Sequence, residues 1–162
     1  MDIQLRFKNI NGVGDKRPTC DVEVNGETIY SGDVVPHMDL KANAEANNVL
    51  RIHFTNKTGR ETVMDASGNV TQDLNFELEG VSIDGTDLEH HIWQSKYVAT
   101  NDVYDSCLFF GPKGYWQIDF ESPVLRWFLK KDQENNNDDP HWERDYNYYE
   151  EACHTLHKIT TR

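Results

Sequence analysis

The triplet His37-Met38-Asp39 has the spacing that supplies two ligands of a facial iron site, with a distal histidine such as His91 or His141 as the third. The same triplet also arises readily in a chain holding seven histidines and 28 acidic residues, and no downstream arginine motif offers a seat for an oxoacid cosubstrate. His90 and His91 are adjacent, so on a strand their rings face opposite ways and do not share a metal. His154 and His157 lie three apart near an apolar helical stripe and read as its flank. A Gly-x-Ser-x-Gly elbow, a P-loop, a dinucleotide glycine fingerprint and a His-Glu-x-x-His pair are all missing from the sequence, so no motif assigns catalysis.

Carboxylates and amides collect at turns instead: Asp73 with Asn75, Asp84 with Asp87, and Asp102 with Asp105. Hard oxygen donors on loops are what calcium requires, since it takes six to eight oxygens in flexible geometry. A polar loop composition produces such clusters as well. Aromatic residues are the other candidate binding groups. Tyr115 is out of phase with the inward row of Trp116 and Ile118, while Trp93 and Tyr97 flank a polar connecting segment. A ring on a rigid sheet stacks on a sugar, and packing against neighbouring elements is the competing use of the same surface.

The elements that would position these groups are mostly strands. Ile3, Leu5 and Phe7 alternate with polar residues, as do Cys20, Val22 and Val24, then Leu50, Ile52 and Phe54, with Arg51, His53 and Thr55 pointing the other way. Asn25-Gly26 is a two-residue hairpin signal. Asp65 to Asn69 reads as a polar turn. Leu74, Phe76 and Leu78 change phase at Gly80 to Val81 and Ile83, which predicts a bulge. Residues 107–110 and the row Trp116, Ile118 and Phe120 form a later hairpin around Gly111-Pro112-Lys113-Gly114. Short strands joined by Gly, Asn and Asp turns predict an antiparallel sandwich.

After Phe120 the period becomes helical. Ser122-Pro123 opens one helix through Val124, Leu125, Phe128 and Leu129, ending near Gln133. Asp139-Pro140 opens a second, whose stripe is Trp142, Tyr146, Tyr149, Cys153 and Leu156. The expected architecture is a mainly β, jelly-roll-like sandwich over residues 1–121 with a two-helix extension over 122–162 packed on it.

With 162 residues the chain suits a single domain. A net charge of −12 argues against nucleic acid and anionic membrane, which are bound by clustered Lys and Arg. Three cysteines at wide spacing, Cys20, Cys107 and Cys153, fit neither a disulfide framework nor a zinc cluster and read as small buried hydrophobes. The start, MDIQLRF, has no signal-peptide pattern, and no apolar run spans a membrane.

The stretches 21–26 (DVEVNG), 48–56 (NVLRIHFTN) and 73–85 (DLNFELEGVSIDG) together resemble the calcium-dependent xylan-binding modules, which are jelly-roll sandwiches. That resemblance implies a glycan ligand and carries a calcium pattern onto Asp73, Asn75 and Asp84, although the preceding Val70-Thr71-Gln72 offers no carboxylate. The stretches 106–114 (SCLFFGPKG), 123–129 (PVLRWFL) and 145–149 (DYNYY) look like small proteins of T4-like tailed phages, especially those of cyanobacteria, a group of no established activity. Together they imply a non-enzymatic virion accessory or adhesion protein that binds glycan or another virion or host protein, located in the virion or the host cytoplasm. Trp93, Tyr97 and Tyr115 are the candidate ligand residues, and self-association stays open. The alternatives are an acidic intracellular inhibitor that mimics nucleic acid, with the carboxylates of the last helix as its contact, and the iron oxygenase on His37 and Asp39.

Overall fold

A computed structural model describes residues 1–135. The chain runs β1 (Asp2–Asn11), β2 (Thr19–Val24), β3 (Glu27–Asp33), β4 (His37–Lys41), β5 (Asn47–Phe54), β6 (Val63–Met64), β7 (Val70–Gln72), β8 (Asn75–Ile83) and β9 (Thr86–Asp87). A 3-10 turn (Glu89–Gln94) then leads to β10 (Lys96–Ala99), β11 (Val103–Asp105), β12 (Phe109–Phe110), β13 (Gly114–Glu121) and the helix α1 (Val124–Asn135). One sheet has the order β12-β8-β1-β4, with β9 paired to β8; the other has the order β11-β10-β13-β5-β2-β3, and β6 with β7 form a separate ribbon. All of these pairings are antiparallel. The protein is thus a mainly β, jelly-roll-like sandwich.

Alternation along each strand sends one set of side chains between the sheets. Ile3, Leu5, Val22, Leu50, Ile52, Phe76, Ile83 and Trp116 are among the fully enclosed ones. Phe76 sits at the centre, with ring centroids of Phe110, Phe54 and Phe7 at 4.3, 5.0 and 5.6 Å. Cys20 is one of the buried small side chains, and burial, reinforced by the Asp21 charge, pushes its thiol up to about 12. Such a thiol is unreactive near neutral pH.

Two local signals appear where the sequence puts them. Asn25 and Gly26 take φ values of 52° and 85° between β2 and β3. At Gly80 the register steps from Arg6 opposite Gly80 to Phe7 opposite Leu78, so Glu79 is the extra residue of a bulge. Other elements carry no such signal. The His37 triplet opens the edge strand β4, and the segment between Trp93 and Tyr97 runs from the 3-10 turn into β10, which pairs with β11. These strands are short, and their pattern is obscured by outward polar residues.

α1 follows Ser122-Pro123 and buries Val124 and Trp127, with the Trp127 ring 6.3 Å from Phe120 and 5.7 Å from His91. His91 is fully enclosed there, edge-on to Phe128 at 4.3 Å, with Nε2 3.1 Å from Asp132 Oδ1. No helix among the described residues is long and apolar enough to cross a membrane. The expected second helix, with His141, His154, His157, Cys153 and the acidic groups of its outer face, lies outside the described residues.

Candidate functional site

The outward face of the six-stranded sheet holds a groove of about 520 Å³. Its position follows from register: Tyr115 on β13 lies opposite His53 on β5, which lies opposite Asp21 on β2, and Val98 on β10 flanks Tyr115 from the other side. One row along, Gln117, Arg51 and Glu23 face each other in the same way. A bulge between Val22 and Glu23 puts Thr28 opposite Glu23, bringing its side chain to the groove wall. His53 and Thr55 form the floor, Asp21, Glu23 and Thr28 one wall, and Thr100, Lys113 and Tyr115 the other.

The polar groups are held by one another. Glu23 reaches two side chains at once, Oε1 lying 3.1 Å from Arg51 Nη1 and Oε2 lying 3.5 Å from His53 Nε2. Arg51 Nε donates to Gln117 Oε1 at 2.8 Å, and Gln117 Nε2 donates to Asp119 Oδ1 at 2.7 Å. Asp21 Oδ1 accepts from the Ser31 hydroxyl at 2.6 Å. The Tyr115 ring is fixed between Arg51, whose Cζ is 5.5 Å from its centroid, and His53, whose ring is 5.2 Å away. A preset aromatic surface beside carboxylate and hydroxyl groups can stack on a flat ligand and bond its hydroxyls with little ordering cost.

Gly114 and Tyr97 build the turn that presents this wall. A Cβ at Gly114 would lie 2.2 Å from the Val98 carbonyl oxygen, so a larger residue would force β10 and β13 apart. The Tyr97 hydroxyl donates to the Pro112 carbonyl at 2.5 Å and ties down the turn carrying Lys113. Tyr97 is therefore corrected from a ligand-facing ring to a core residue: it is fully buried, opposite Trp116 and edge-on to Phe110 at 5.1 Å. Burial, then the neighbouring Cys107, pushes its phenol well above the ordinary range. Trp93 is half-exposed at the opposite end of β10 from the groove, its carbonyl accepting from the Ser106 hydroxyl at 2.7 Å, and does not join Tyr115.

The three residues carrying the calcium pattern do not converge. Asp73 and Asn75 stand at the start of β8 and Asp84 just past its end, about 30 Å from Asn75 at the rise of an extended strand. Asp73 is already engaged: Lys57 Nζ bonds its Oδ1, the Thr62 hydroxyl donates to the same oxygen at 2.8 Å, and Asn75 Nδ2 reaches Oδ2 at 3.3 Å. Burial raises the Asp73 pKa, but these donors outweigh it and hold the carboxyl below its ordinary value. Asp84 accepts the backbone N–H of Asp2 at 2.7 Å. A second groove, of about 660 Å³, runs past Asp73 and Asn75 with Asn11 and Gln72 on its walls and no aromatic ring.

The iron reading meets a similar geometry. His37 Nε2 lies 3.2 Å from Asp39 Oδ2 on an exposed edge strand, whereas His91 is enclosed beneath α1. Among the described residues no three His, Cys, Asp or Glu side chains gather as a metal cluster.

Sequence reasoning placed Tyr115 in the site and missed Asp21, Glu23, Arg51, His53 and Lys113. The outward phase of Arg51 and His53 was the available signal, but only strand pairing shows that they meet Glu23 and Tyr115.

By fold the protein belongs with antiparallel β-sandwiches. It matches no family model and no curated sequence. Two solved structures are similar to it. One, described as vCBM60 in complex with galactobiose, shares 16% identity at a TM-score of 0.47, covering 72% of this chain and 96% of that one. The other is a selenomethionine form of vCBM60, described as linking two families of calcium-dependent carbohydrate-binding modules by circular permutation; it shares 16% identity at a TM-score of 0.48, covering 72% of this chain and 87% of its own.

Proposed function

We propose that this chain is a non-enzymatic glycan-binding module that holds sugar in the groove beside Tyr115. The observation that carries the reading is the Tyr115 ring, set between Arg51 and His53 and flanked by the carboxylates of Asp21 and Glu23. A pyranose face stacks on such a ring while its hydroxyls donate to carboxylates and exchange bonds with Thr28, Thr55 and Thr100. Every donor and acceptor invoked belongs to the protein, so binding is expected to be equal in chelator and in millimolar calcium.

The setting we infer, from the sequence resemblance, is an accessory or adhesion component of a phage particle, with residues 1–121 as the sandwich and 122–162 as its appended extension. Mass spectrometry of purified particles tests that setting. Affinity electrophoresis through gels containing neutral plant and microbial polysaccharides tests the binding. Retardation of the wild type, with Tyr115→Ala at least about tenfold weaker and melting within a few degrees of wild type, is the expected result. Equal retardation of both proteins, or of neither, would remove the groove from the function.

A further inference from the structure

Glu23 lines the groove and faces both Arg51 and His53. Its Oε1 pairs with Arg51, so the guanidinium's positive charge behind Tyr115 is balanced before any ligand arrives. Asp21, on the same wall, adds a second carboxylate, and Asp119 closes the far end of the chain of bonds through Gln117. Among the described residues lining the groove, Lys113, exposed on its turn, is the one lysine or arginine. His53 Nε2 is buried, with Glu23 Oε2 3.5 Å away, and makes no hydrogen bond among the described residues.

Resting on the glycan reading above, we infer that Glu23 is a specificity-determining residue: by pairing with Arg51 it makes the groove accept hydroxyl-bearing, uncharged sugars and reject carboxylated ones. A uronate placed against Tyr115 would bring its carboxylate toward Asp21 and Glu23, and a like-charge contact in a partly desolvated groove is strongly unfavourable. The overall charge of −12 opposes an anionic polysaccharide at longer range as well. An uncharged sugar meets the same carboxylates as hydroxyl acceptors, and a carboxylate accepting from two neighbouring hydroxyls forms the stronger, charge-assisted kind of hydrogen bond. Selectivity thus arises from a repulsive element built into the wall, as specific sites commonly require.

The test compares two probes of matched ring geometry, cellohexaose and its C6-carboxylated counterpart, by isothermal titration calorimetry. Galacto- and manno-hexasaccharides with their own C6-carboxylated forms serve as further matched pairs. The wild type is expected to bind the neutral member of a pair at least about tenfold more tightly. Glu23→Gln keeps the side chain's size and an acceptor oxygen, and is expected to raise the affinity for the carboxylated member about tenfold while changing the neutral one by less than about threefold. The double variant Glu23→Gln, Arg51→Gln removes the guanidinium that Glu23 released, and should lose that gain; circular dichroism and melting confirm that each variant is folded.

A wild type that binds the carboxylated member equally well, or a Glu23→Gln ratio identical to wild type, would overturn the assignment of Glu23 while leaving the glycan reading in place. No heat with any hexasaccharide, or binding untouched by Tyr115→Ala, would overturn the glycan reading and this inference with it.

Discussion

Two polar clusters sit on this sandwich, and they use the same chemical groups to opposite ends. Around Asp73, the chain's own donors engage both carboxylate oxygens: Lys57, which is buried and also bonds the Leu74 carbonyl at 2.9 Å, then Thr62 and Asn75. Glu61 beside it is treated likewise, by Lys16 and by the N–H and hydroxyl of Thr58 at 2.9 and 2.7 Å. The groove at Tyr115 instead leaves Asp21 Oδ2 without a partner among the described residues and lines its wall with the Tyr115 ring. A carboxylate cluster in a loop is thus a poor guide to a ligand until its internal partners are known. The first cluster fastens loops to the sandwich; the second is open to a visitor.

The largest expected effect breaks the first cluster. Asp73→Ala strands the buried Lys57 ammonium with one carbonyl partner, and losing one member of such a pair costs far more than the pair contributes. The expected loss is about 2–3 kcal/mol, read in urea, and a melting temperature on the order of 5–10 °C lower. Glycan affinity at the other cluster should stay within about twofold. Tyr115→Ala has the reverse pattern, so the two variants separate fastening from binding; a Tyr115 variant as unstable as the Asp73 one would merge the clusters into a single structural role.

How far the sequence foretold this contrast depends on range. Asn25-Gly26 and the Gly80 phase change are local, and both mark the observed turn and bulge. The inward row of Leu50, Ile52 and Phe54 is also local, and with it the outward phase of Arg51 and His53. What alternation does not contain is which strands pair. Tyr97 becomes a core residue because β10 registers it against Trp116, and Glu23 meets Arg51 because β2 lies beside β5 rather than only beside β3. Lys57 comes to Asp73 from a loop 16 residues upstream with no periodic pattern to announce it.

Acid sharpens the contrast. Glu61 and Asp73 are both held below their ordinary values of 4.5 and 3.8, Glu61 chiefly by Lys16 and the Thr58 N–H. A carboxyl with a depressed folded-state pKa contributes stability that is present above the unfolded value and lost as pH falls through the folded one. His91 acts in the same direction at higher pH. Burial, with the nearby His90 charge, lowers its pKa from 6.5 against the opposing pull of Asp132, so the folded state resists protonating it. Stability should therefore decline in two steps on acidification, the first beginning below about pH 6.5 and the second below about pH 4.5. His91→Gln should remove the upper step in a series of melts from pH 7.5 to 5, and a series in which the variant and wild type decline in parallel would assign that step elsewhere.

The smallest expected effect concerns calcium. For Asp73, Asn75 and Asp84 to share one ion, the two ends of β8 would have to meet, and β8 is held extended along β1 by its pairings. At the Asp73 end alone an ion would compete with Lys57, whose ammonium already neutralises the carboxylate and would have to be buried elsewhere or expelled. Calcium needs several oxygens free to turn toward it, and here the two Asp73 oxygens are both taken. The melting temperature is therefore expected to move by less than about 1 °C between chelator and millimolar calcium, since a ligand stabilises only in proportion to its preference for the folded state. A rise of several degrees that disappears in Asp73→Ala would show that Lys57 yields its place to the ion, and would turn the fastening cluster into a second binding site.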